Sequence, residues 1–448
     1  MQIEMPRGAN YIIDTLKQAG FEAYIVGGCV RDAVLGLKPH DWDITTNARP
    51  EQVKRLFGKT IDTGIQHGTV TVLVPKSVTL GEVPYDFEVT TYRLDGVYED
   101  HRRPKAVTFT GALSDDLARR DFTINAMAYN HEDGLVDIYG GQKDLADGVI
   151  RCVGNPEERF SEDALRVLRA VRFAAKLDFT IEDDTRMAIQ THVLDLAFVS
   201  AERIREELTK LLTSNHPGRI REAYKLGITG VVLPEFDRMM EQEQNNPYHC
   251  YSVGEHTIHV VEAVPPEVHL RYAALLHDVA KPACHTTDEK GIDHFYGHPQ
   301  IGTKDAVKIL RRLKFDNDTI RKVERLVRYH DYDIGDTEKG MRHFLAKFGT
   351  EDFPDYMKLR RADMAGQSSY RLDERRAYLE KLEELYQAVT SRGDCLSLKE
   401  LALSGRDLME MGVPAGPGLG RMLDKLLTHV LDHPEDNNRE ALIKYLHI

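Results

Sequence analysis

The sequence predicts an α+β protein in which a small mixed-sheet head precedes a mostly helical remainder. Helix and strand patterns alternate over the first 148 or so residues, whereas from Pro156 onward the pattern is helical almost throughout. The chain has 448 residues, enough for two to four domains. We expect a head over 1–148, a helical neck and body over 149–242, a histidine-rich helical domain over 243–372 and a helical tail over 373–448.

The head elements follow from the spacing of apolar residues and from turn residues. The first helix stops at Gly20, and a short strand then ends in the pair Gly27-Gly28. Segments rich in Val, Thr and Tyr predict the remaining strands. The predicted helices are 10–18 and 30–35, and the predicted strands are 21–26, 41–45, 69–74 and 85–92.

The predicted helical part of the chain contains fewer residues that would end a helix. Ser161 is a suitable N-cap for an apolar helix with regularly spaced arginines. A further helix is predicted over 202–212, a helix-turn-helix over 220–234, and a charge-paired amphipathic helix over 373–389. The polar segment 243–248 contains Asn-Pro and indicates a domain boundary.

Composition excludes some classes of protein. No apolar run is long enough to span a membrane, and the N-terminus lacks the features of a secretory signal. Five cysteines without a C-x-x-C pair indicate neither a zinc knuckle nor a disulfide framework. A net charge of −13 argues mildly against extensive nonspecific binding to nucleic acid. We expect a cytoplasmic protein and no contact with a membrane; the sequence gives no oligomeric state.

Two carboxylates stand two residues apart in HDWDI, at Asp41 and Asp43. On a strand such side chains face the same way and can share two divalent ions, as in phosphoryl transfer. Glu88, whose neighbours are core residues, is the predicted third carboxylate, and Asp86 on the same face is the second choice. D-x-D alone is also common in solvated turns, so the pair needs support from its surroundings.

That support is Gly27-Gly28, followed closely by Arg31. A glycine pair between a strand and a helix allows backbone N–H groups to approach a triphosphate, and the helix N-terminus favours its charge. The combination is much more specific than either motif alone.

With these motifs the sequence resembles the head domain of the DNA polymerase β-like nucleotidyltransferases, in particular the class II tRNA nucleotidyltransferase and bacterial poly(A) polymerase group. The resemblance rests on VGGCVRDAVLG, HDWDITTNARP, RRDFTINAMA over 119–128 and EDALR over 162–166, which occur in the family's order. It implies template-independent addition of C, C and A to the 3′ end of tRNA from CTP and ATP, with two Mg²⁺ ions bound at the head. It also implies nucleotide contacts from Gly27, Gly28, Arg31, Arg120, Asp121 and Asn125.

The predicted helix near Ser161 carries four polar residues three apart, namely Asp163, Arg166, Arg169 and Arg172. Arginines on so apolar a helix must line a wet cleft or meet anions. Cytosine and adenine share an exocyclic amine beside an unprotonated ring nitrogen, which a carboxylate and a guanidinium can read together. Asp163 and Arg166 are therefore the predicted base readers, as the resemblance also implies. Arg169 and Arg172 are expected to contact the triphosphate or to order the readers; an ordinary salt-bridged surface helix is the alternative.

The polar segment RLDGVYEDHRRPKAV, residues 93–107, has the composition of a surface loop. In the family it resembles the flexible loop needed to switch from adding C to adding A. Its presence favours a full CCA-adding or an A-adding specificity.

A second constellation resembles an HD-type metal phosphohydrolase, in which an adjacent His and Asp bind a divalent ion on a helical scaffold. Imidazole and carboxylate suit transition metals, with Mg²⁺ or Mn²⁺ as alternatives. With 19 histidines in the chain, chance spacing is the competing explanation. The predicted ligands are His256, His277, Asp278, His298, His330 and Asp331.

The tail contains a Gly/Pro-rich turn in LSGRDLMEMGVPAGPGLGRML, whose N–H groups could hold an RNA phosphate. It resembles the part of tRNA nucleotidyltransferases that meets the tRNA elbow; a plain interhelical turn is the alternative. Three functional alternatives remain open. These are an A-adding enzyme or poly(A) polymerase, a metal phosphohydrolase whose head only binds RNA, and a protein-uridylylating regulator, which would need a ligand-sensing tail.

Overall fold

A computed structural model describes residues 2–95, 98–99, 103–104 and 107–446. The chain forms two compact units, Met1–Pro234 and Glu235–Ile448. The first contains a mixed sheet with helices around it, and the second is almost entirely helical. The α+β fold class is therefore confirmed. The finer division into four domains stays a prediction.

The strands of the first unit are short, as expected for a small head. They are β1 (Ala23–Val26), β2 (Ile44–Thr46), β3 (Thr60–Gly64), β4 (Thr69–Leu73), β5 (Asp86–Thr91), β6 (Arg93–Asp95), β7 (Tyr98–Glu99), β8 (Arg103–Pro104), β9 (Val107–Phe109), β10 (Ala128–Asn130), β11 (Gly134–Val136), β12 (Val149–Ile150) and β13 (Thr180–Ile181).

Seven of these strands form one sheet in the order β11-β10-β1-β2-β5-β4-β3. Every neighbouring pair is antiparallel except β2 and β5, which run parallel with Ile44 beside Val89. β1 is fully buried, as is β2, so the centre of the sheet belongs to the core. The mixed sheet predicted for the head is thus confirmed.

The helices of the first unit cover the sheet and then continue as a helical body. They are α1 (Arg7–Gln18), α2 (Gly28–Val34), α3 (Pro50–Leu56), α4 (Lys76–Thr79), α5 (Leu113–Ala118), α6 (Gly141–Asp147), α7 (Pro156–Glu162), α8 (Leu165–Leu177), α9 (Asp183–His192), α10 (Ala201–Leu212), α11 (Ile220–Lys225) and α12 (Ile228–Val232).

The second unit consists of helices with one small hairpin, β14 (Thr286–Thr287) and β15 (Asp293–His294). The helices are α13 (Pro234–Glu241), α14 (Val253–Ala263), α15 (Val268–Leu276), α16 (Lys281–Cys284), α17 (His298–Arg312), α18 (Asn317–Tyr329), α19 (Glu338–Phe348), α20 (Phe353–Ala365), α21 (Leu372–Arg392), α22 (Gly405–Glu410), α23 (Pro417–Asp432) and α24 (Arg439–Leu446).

The strand predicted over 41–45 is displaced, because β2 begins only at Ile44. Asp41 and Asp43 precede the strand instead of lying within it. The cause is the length of the neighbouring strand: β1 ends at Val26, whose N–H donates to the carbonyl of Asp43 at 3.0 Å. That bond closes the ladder between β1 and β2, and β1 does not continue beside the residues before it.

Ser161 was expected to cap a helix, and this prediction is wrong. Pro156 opens α7 with Asn155 as its N-cap, and Ser161 lies inside that helix, where its hydroxyl donates to the carbonyl of Glu158 at 2.9 Å. The next helix, α8, begins at Leu165, whose N–H is accepted by Asp163 Oδ1 at 3.1 Å. Asp163 therefore lies in a break between two helices and accepts the N–H of the first residue of the arginine helix.

The turn predicted in the tail is present between α22 and α23, and positive φ angles at Gly412 and Gly416 (92° and 141°) explain its glycines. Ser404 and Asp407 form a capping box that starts α22. Apolar residues including Leu403, Leu408 and Leu426 build a core for this region. A tail folded on its own core can present the turn at its surface.

No helix among the described residues has the length and apolar character that crossing a membrane requires. The five cysteines all carry free thiols.

Candidate active site

The glycine turn lies directly beside Asp43. The hydrogen bond from Val26 to the Asp43 carbonyl ends one residue before Gly27. Gly27 has φ of 81°, a left-handed conformation that glycine adopts without strain, and α2 starts at Gly28. The N–H of Gly27 is already donated to the carbonyl of Met127 at 3.2 Å. This N–H is thus already paired within the protein, and the expected contact of Gly27 with a triphosphate stays a prediction.

Asp41 and Asp43 share one face of the chain. Both side chains are exposed, whereas Trp42 between them is 8% exposed. The parallel register that sets Ile44 beside Val89 brings Asp43 level with Glu88, and Asp86 and Glu88 are likewise exposed on one face of β5. Asp43, next to the glycine turn, interacts electrostatically with both Asp41 and Glu88.

The pKa of Asp43 is raised above its ordinary value. The largest cause is desolvation, because protein surrounds the carboxyl even though its edge remains open to water. Arg120 opposes the shift, while the charges of Glu88 and Asp41 add to it. A carboxylate whose pKa is raised partly by neighbouring carboxylates favours a cation beside it, which is the electrostatic requirement of a divalent metal site.

Arg120 is held at this site by a residue that sequence reasoning missed. Asp116, which is fully buried, binds Arg120 Nη2 at 3.3 Å and both Nε and Nη2 of Arg119 at 2.9 and 2.8 Å. Burial would raise the pKa of Asp116, but Arg119 and Arg120 hold it below its ordinary value. A Cβ atom built on Gly27 would lie 2.9 Å from Arg120 Nη1. The guanidinium therefore rests against the glycine turn.

Four predicted nucleotide-binding residues form a continuous chain of hydrogen bonds. Arg31 Nη1 donates to Asn125 Oδ1 at 2.6 Å, and Asn125 Nδ2 donates to Asp121 Oδ1 at 3.1 Å. Asp121 Oδ2 accepts from Arg169 Nε at 2.8 Å and from Nη2 at 2.5 Å. The structure thus joins Arg31 beside the glycine turn to Arg169 on α8.

The remaining arginines of α8 also meet carboxylates, as their burial requires. Arg166 Nη1 lies 2.6 Å from Glu162, and Arg172 Nε lies 2.6 Å from Glu207 on α10. Burial is the main reason that the pKa of Arg172 is lowered to about 10, and Glu207 opposes the shift. The helix is therefore not a solvated surface helix: nine of its thirteen residues are buried.

The predicted base readers are both engaged within the protein. Asp163 forms an ion pair with Arg203 on α10 at 2.7 Å. Arg166 Nη2 donates to the carbonyl of Arg119 at 2.8 Å. Contrary to expectation they do not lie on one helix, because Asp163 stands in the break before α8. Their role as readers stays a prediction.

The histidine constellation is assembled in the second unit. His256 on α14, the His277-Asp278 pair after α15, His298 at the start of α17 and His330 after α18 converge, and all are buried. Chance spacing does not explain side chains from four parts of the unit meeting at one point. Burial would raise the pKa of Asp278, but His277 and Lys281 hold it well below its ordinary value.

Asp331 is the one predicted ligand that the structure leaves outside this cluster. Its side chain is exposed, because His330 turns inward at the end of α18 and the next residue points outward. Asp363 on α20 contributes a carboxylate to the cluster instead, with Oδ1 3.0 Å from His256 Nε2. A cavity of about 700 Å³ opens beside the cluster, and its wall includes His298, Asp331, Asp363 and Arg360.

Of the residues that the sequence analysis missed, some could have been found from a local sequence pattern and others could not. Asp116 precedes Arg119 and Arg120 by three and four residues, a helical spacing that indicates an ion pair. Glu207, Arg203 and Asp363 reach their partners only through the packing of separate helices, so no local pattern reveals them.

The residues that form this geometry match known families. Residues 23–151 match the poly A polymerase head domain, and residues 178–240 match the probable RNA and SrmB-binding site of polymerase A. Residues 285–446 match the putative tRNA nucleotidyltransferase domain 2.

A curated relative decides the family. The chain is 35% identical over 438 residues to the CCA-adding enzyme of Lactobacillus helveticus, covering 97% of this chain and 95% of the relative. The chain belongs to the CCA-adding enzymes. The CCA-adding enzyme of a Geobacillus strain is also 35% identical, over 436 residues and 95% of its length. CCA-adding enzymes are tRNA nucleotidyltransferases, so the family expected from the sequence motifs is confirmed.

Solved structures of CCA-adding enzymes share the fold. The Bacillus stearothermophilus enzyme, crystallised with CTP, has a TM-score of 0.73 at 28% identity and covers 99% of this chain and 98% of its own. The Thermotoga maritima enzyme has a TM-score of 0.56 at 22% identity, covering 100% and 99% of the two chains. The second likeness concerns the fold alone.

Proposed function

We propose that the head of the first unit is the site at which this chain adds C, C and A to the 3′ end of tRNA, using CTP and ATP without a template. The observation that supports this proposal most strongly is the arrangement of Asp41, Asp43 and Glu88 on one exposed face beside the glycine turn. The relative from Bacillus stearothermophilus was solved with CTP, which supports the same donor here.

The reaction is an in-line displacement. The 3′-hydroxyl oxygen of the RNA forms a bond to the α-phosphorus of the nucleotide, and the bond from that phosphorus to the β-phosphate oxygen breaks. Pyrophosphate leaves with the bonding electrons, and the hydroxyl proton passes to solvent. The chain's contribution is mainly positioning and neutralisation of charge.

A divalent metal belongs to this family, and the carboxylate face fits two Mg²⁺ ions. Oxygen ligands suit Mg²⁺, and desolvation, with the charges of Glu88 and Asp41, keeps the pKa of Asp43 raised although Arg120 opposes the shift. Asp41 and Asp43 would hold both ions, and Glu88 one of them. When bound, the ions neutralise the triphosphate and favour loss of the hydroxyl proton.

Positive groups already placed around this face would hold the nucleotide. Arg120 is fixed by Asp116 against Gly27, and its buried Nε has no hydrogen-bond partner among the described residues. Arg31 and Arg169 are linked through Asn125 and Asp121. Asp163 and Arg166 would exchange their present partners for the Watson–Crick edge of C or A.

The switch from C to A is assigned to residues 93–107, of which 96–97, 100–102 and 105–106 lie outside the described residues. That assignment therefore rests on the sequence. Binding of the tRNA elbow to the turn between α22 and α23 is likewise an expectation. A cytoplasmic location fits the five free thiols.

Incorporation into tRNA that lacks its tail tests the function. With CTP alone we expect two cytidines, with CTP and ATP the full CCA end, and with UTP or GTP no product. Addition of A alone, or of a long A tract, would instead establish the A-adding or poly(A) alternative.

A second activity is favoured by the buried histidine cluster and its cavity. We infer that the second unit is an HD-type metal phosphohydrolase acting on phosphate esters. The donor set fits a divalent ion, since His256, His277 and Asp278 offer ligand atoms within 4.8 Å of one another. When bound, such an ion polarises a phosphoryl group and favours attack by water.

Hydrolysis of p-nitrophenyl phosphate with Mn²⁺, Co²⁺, Ni²⁺ or Mg²⁺ tests this inference. His277→Ala should abolish hydrolysis and leave CCA addition intact, and Asp41→Asn should do the opposite. Loss of both activities in either variant would contradict two independent sites, and no hydrolysis with any of the metals would contradict the second activity.

A further inference from the structure

Asp116 is a fully buried carboxylate inside the short helix α5. Its Oδ1 accepts hydrogen bonds from Nε and Nη2 of Arg119 at 2.9 and 2.8 Å. Its Oδ2 accepts from Arg120 Nη2 at 3.3 Å and from the hydroxyl of Thr45 on β2 at 3.1 Å. One guanidinium would balance the charge of this carboxylate. The additional contacts to Arg120 and Thr45 tie two further parts of the head to the same side chain.

The bond to Thr45 reaches the segment that carries the predicted metal ligands. Thr45 follows Asp43 by two residues and is fully buried in β2. Its hydroxyl also lies 3.3 Å from the carbonyl of Thr90. A hydroxyl has one hydrogen to donate, and the nearer, charged carboxylate is the stronger acceptor. Asp116 therefore holds the strand directly after Asp43.

The bond to Arg120 reaches the glycine turn. Arg120 Nη1 lies so close to Gly27 that a Cβ atom built there would be 2.9 Å away. The charge of the same guanidinium also lowers the pKa of Asp43. Asp116 thus fixes a cation that lies beside both the carboxylate face and the turn that a triphosphate would approach.

The end of α5 holds one of the predicted base readers. The last carbonyls of a helix have no partner within the helix. Here the carbonyl of Ala118 accepts from Arg159 Nη1 at 3.0 Å, and the carbonyl of Arg119 accepts from Arg166 Nη2 at 2.8 Å. Because Asp116 holds the side chain of Arg119, it restrains the residue whose carbonyl Arg166 contacts.

One side chain therefore joins three groups that the proposed reaction needs at fixed distances. These are Asp43 through Thr45, Arg120 directly, and Arg166 through Arg119. Displacing a group at the site by about 1 Å can cost about a hundredfold in rate. Hydrogen bonds between a carboxylate and a guanidinium are directional, so they fix position as well as balance charge.

We propose that Asp116 is a positioning residue for nucleotide transfer, which holds the metal-binding strand in register with the arginines that bind the nucleotide; the inference rests on the CCA addition proposed for the head. Because Asp116 is fully buried, it acts through Thr45, Arg119 and Arg120. Loss of the Thr45 bond alone should release the strand and slow the transfer, but leave the binding of CTP unchanged. Loss of the carboxylate charge should impair both.

Single-turnover incorporation of CTP into tRNA lacking its tail, with CTP varied at saturating Mg²⁺, separates these effects. Thr45→Val should lower the maximal rate about tenfold at an unchanged half-saturating CTP concentration, since a hydrogen bond to a charged group is lost. Thr45→Ser keeps the hydroxyl and should stay within about twofold of the wild type. Asp116→Asn should lower the rate about a hundredfold and raise the half-saturating CTP concentration about tenfold.

Thr46→Val is the matched control. Thr46 is the next residue of β2 and equally buried, but its hydroxyl donates to the carbonyl of Glu22. This variant should lose stability in urea and keep wild-type kinetics. The double variant Thr45→Val, Asp116→Asn should be no slower than Asp116→Asn alone, because both substitutions remove the same link.

Three results would each overturn the positioning role while CCA addition by the wild type stands. They are wild-type kinetics in Thr45→Val, an equal loss of rate in Thr45→Ser, and multiplied losses in the double variant. If Asp116→Asn does not fold, the two Thr45 variants decide the question by themselves. If the wild type adds no cytidine, the function proposed for the head is overturned, and the role of Asp116 with it.

Discussion

Asp121 offers the sharpest test of how the nucleotide-selecting helix is joined to the head. In Asp121→Asn the shape of the side chain is kept, but its charge is lost and one oxygen becomes an amide donor. Oδ2 accepts two hydrogen bonds from Arg169, and Oδ1 accepts from Asn125 and from the N–H of Phe122 at 2.8 Å. An asparagine can still accept the hydrogen bonds from Asn125 and Phe122. Its amide NH₂ group, however, is a donor that faces the donors of Arg169.

The expected loss follows from these contacts. A hydrogen bond to a charged group contributes about 1.5–3 kcal/mol, and two are lost. The Arg169 side chain is 31% exposed, so water recovers part of this energy. We expect the free energy of unfolding of the first unit to fall by about 2–3 kcal/mol at pH 7.

The loss of stability caused by Asp121→Asn should become smaller as the pH falls. Burial would raise the pKa of Asp121, but Arg169 and the hydrogen bond from Asn125 hold it below its ordinary value. The contribution of this carboxylate is therefore fully present above the unfolded pKa of about 3.9. It is lost as the pH falls through the lower folded pKa. The difference between wild type and variant should be constant near neutrality and shrink below about pH 4.

Urea unfolding followed by tryptophan fluorescence measures this effect, because the only tryptophan, Trp42, is buried in the head and reports on the first unit. With a denaturant slope of about 2.5 kcal/mol per M, the midpoint should fall by about 1 M. Asp62→Asn is the control: its pair with Lys54 is exposed and should contribute less than about 0.5 kcal/mol. Equal midpoints for the two variants would refute the reasoning.

Two further predictions concern the same head. Asp43→Asn should raise the urea midpoint of the metal-free protein. Desolvation raises the folded pKa of Asp43, so the ionised carboxylate destabilises the fold above that pKa. This destabilisation, and with it the difference between variant and wild type, vanishes below the unfolded pKa. Added Mg²⁺ should stabilise only the wild type, and a lower midpoint for the metal-free variant would contradict this. Gly27→Ala should raise the KM for CTP about tenfold, since the new methyl group displaces Arg120. Gly20→Ala, with a similar φ of 86° and open space around it, should lower stability without changing KM; an equal KM for the two variants would contradict the role of Arg120.

Local sequence patterns predicted the mixed sheet and the shared exposure of the three carboxylates, whose catalytic role stays a prediction. Alternation of exposed and buried residues around Trp42 and along β5 is a property of neighbouring residues, and it already places Asp41, Asp43 and Glu88 on shared faces. The start of β2 could not be predicted in this way, because it depends on where the partner strand ends at Val26.

Contacts between segments that are far apart in the chain could not be predicted from the sequence. The pairing of Arg172 with Glu207 joins two helices whose relative position no local pattern encodes. The same holds for Asp363, which lies 85 residues after Asp278 and completes the histidine cluster from another helix. Asp331 was chosen for its place beside His330, but adjacent residues at a helix end point in different directions.

Asp41, Asp43 and Glu88 are proposed to form the face on which the nucleotide is transferred. Single-turnover incorporation of CTP into tRNA lacking its tail, at saturating Mg²⁺, tests this proposal most directly. For Asp43→Asn we expect the rate to fall about a thousandfold, or about 4 kcal/mol, with Glu88→Gln also impaired. Asp86→Asn, on the same face of β5, should stay near the wild-type rate. Near-normal incorporation by Asp43→Asn, or an equal loss in Asp86→Asn, would contradict the account.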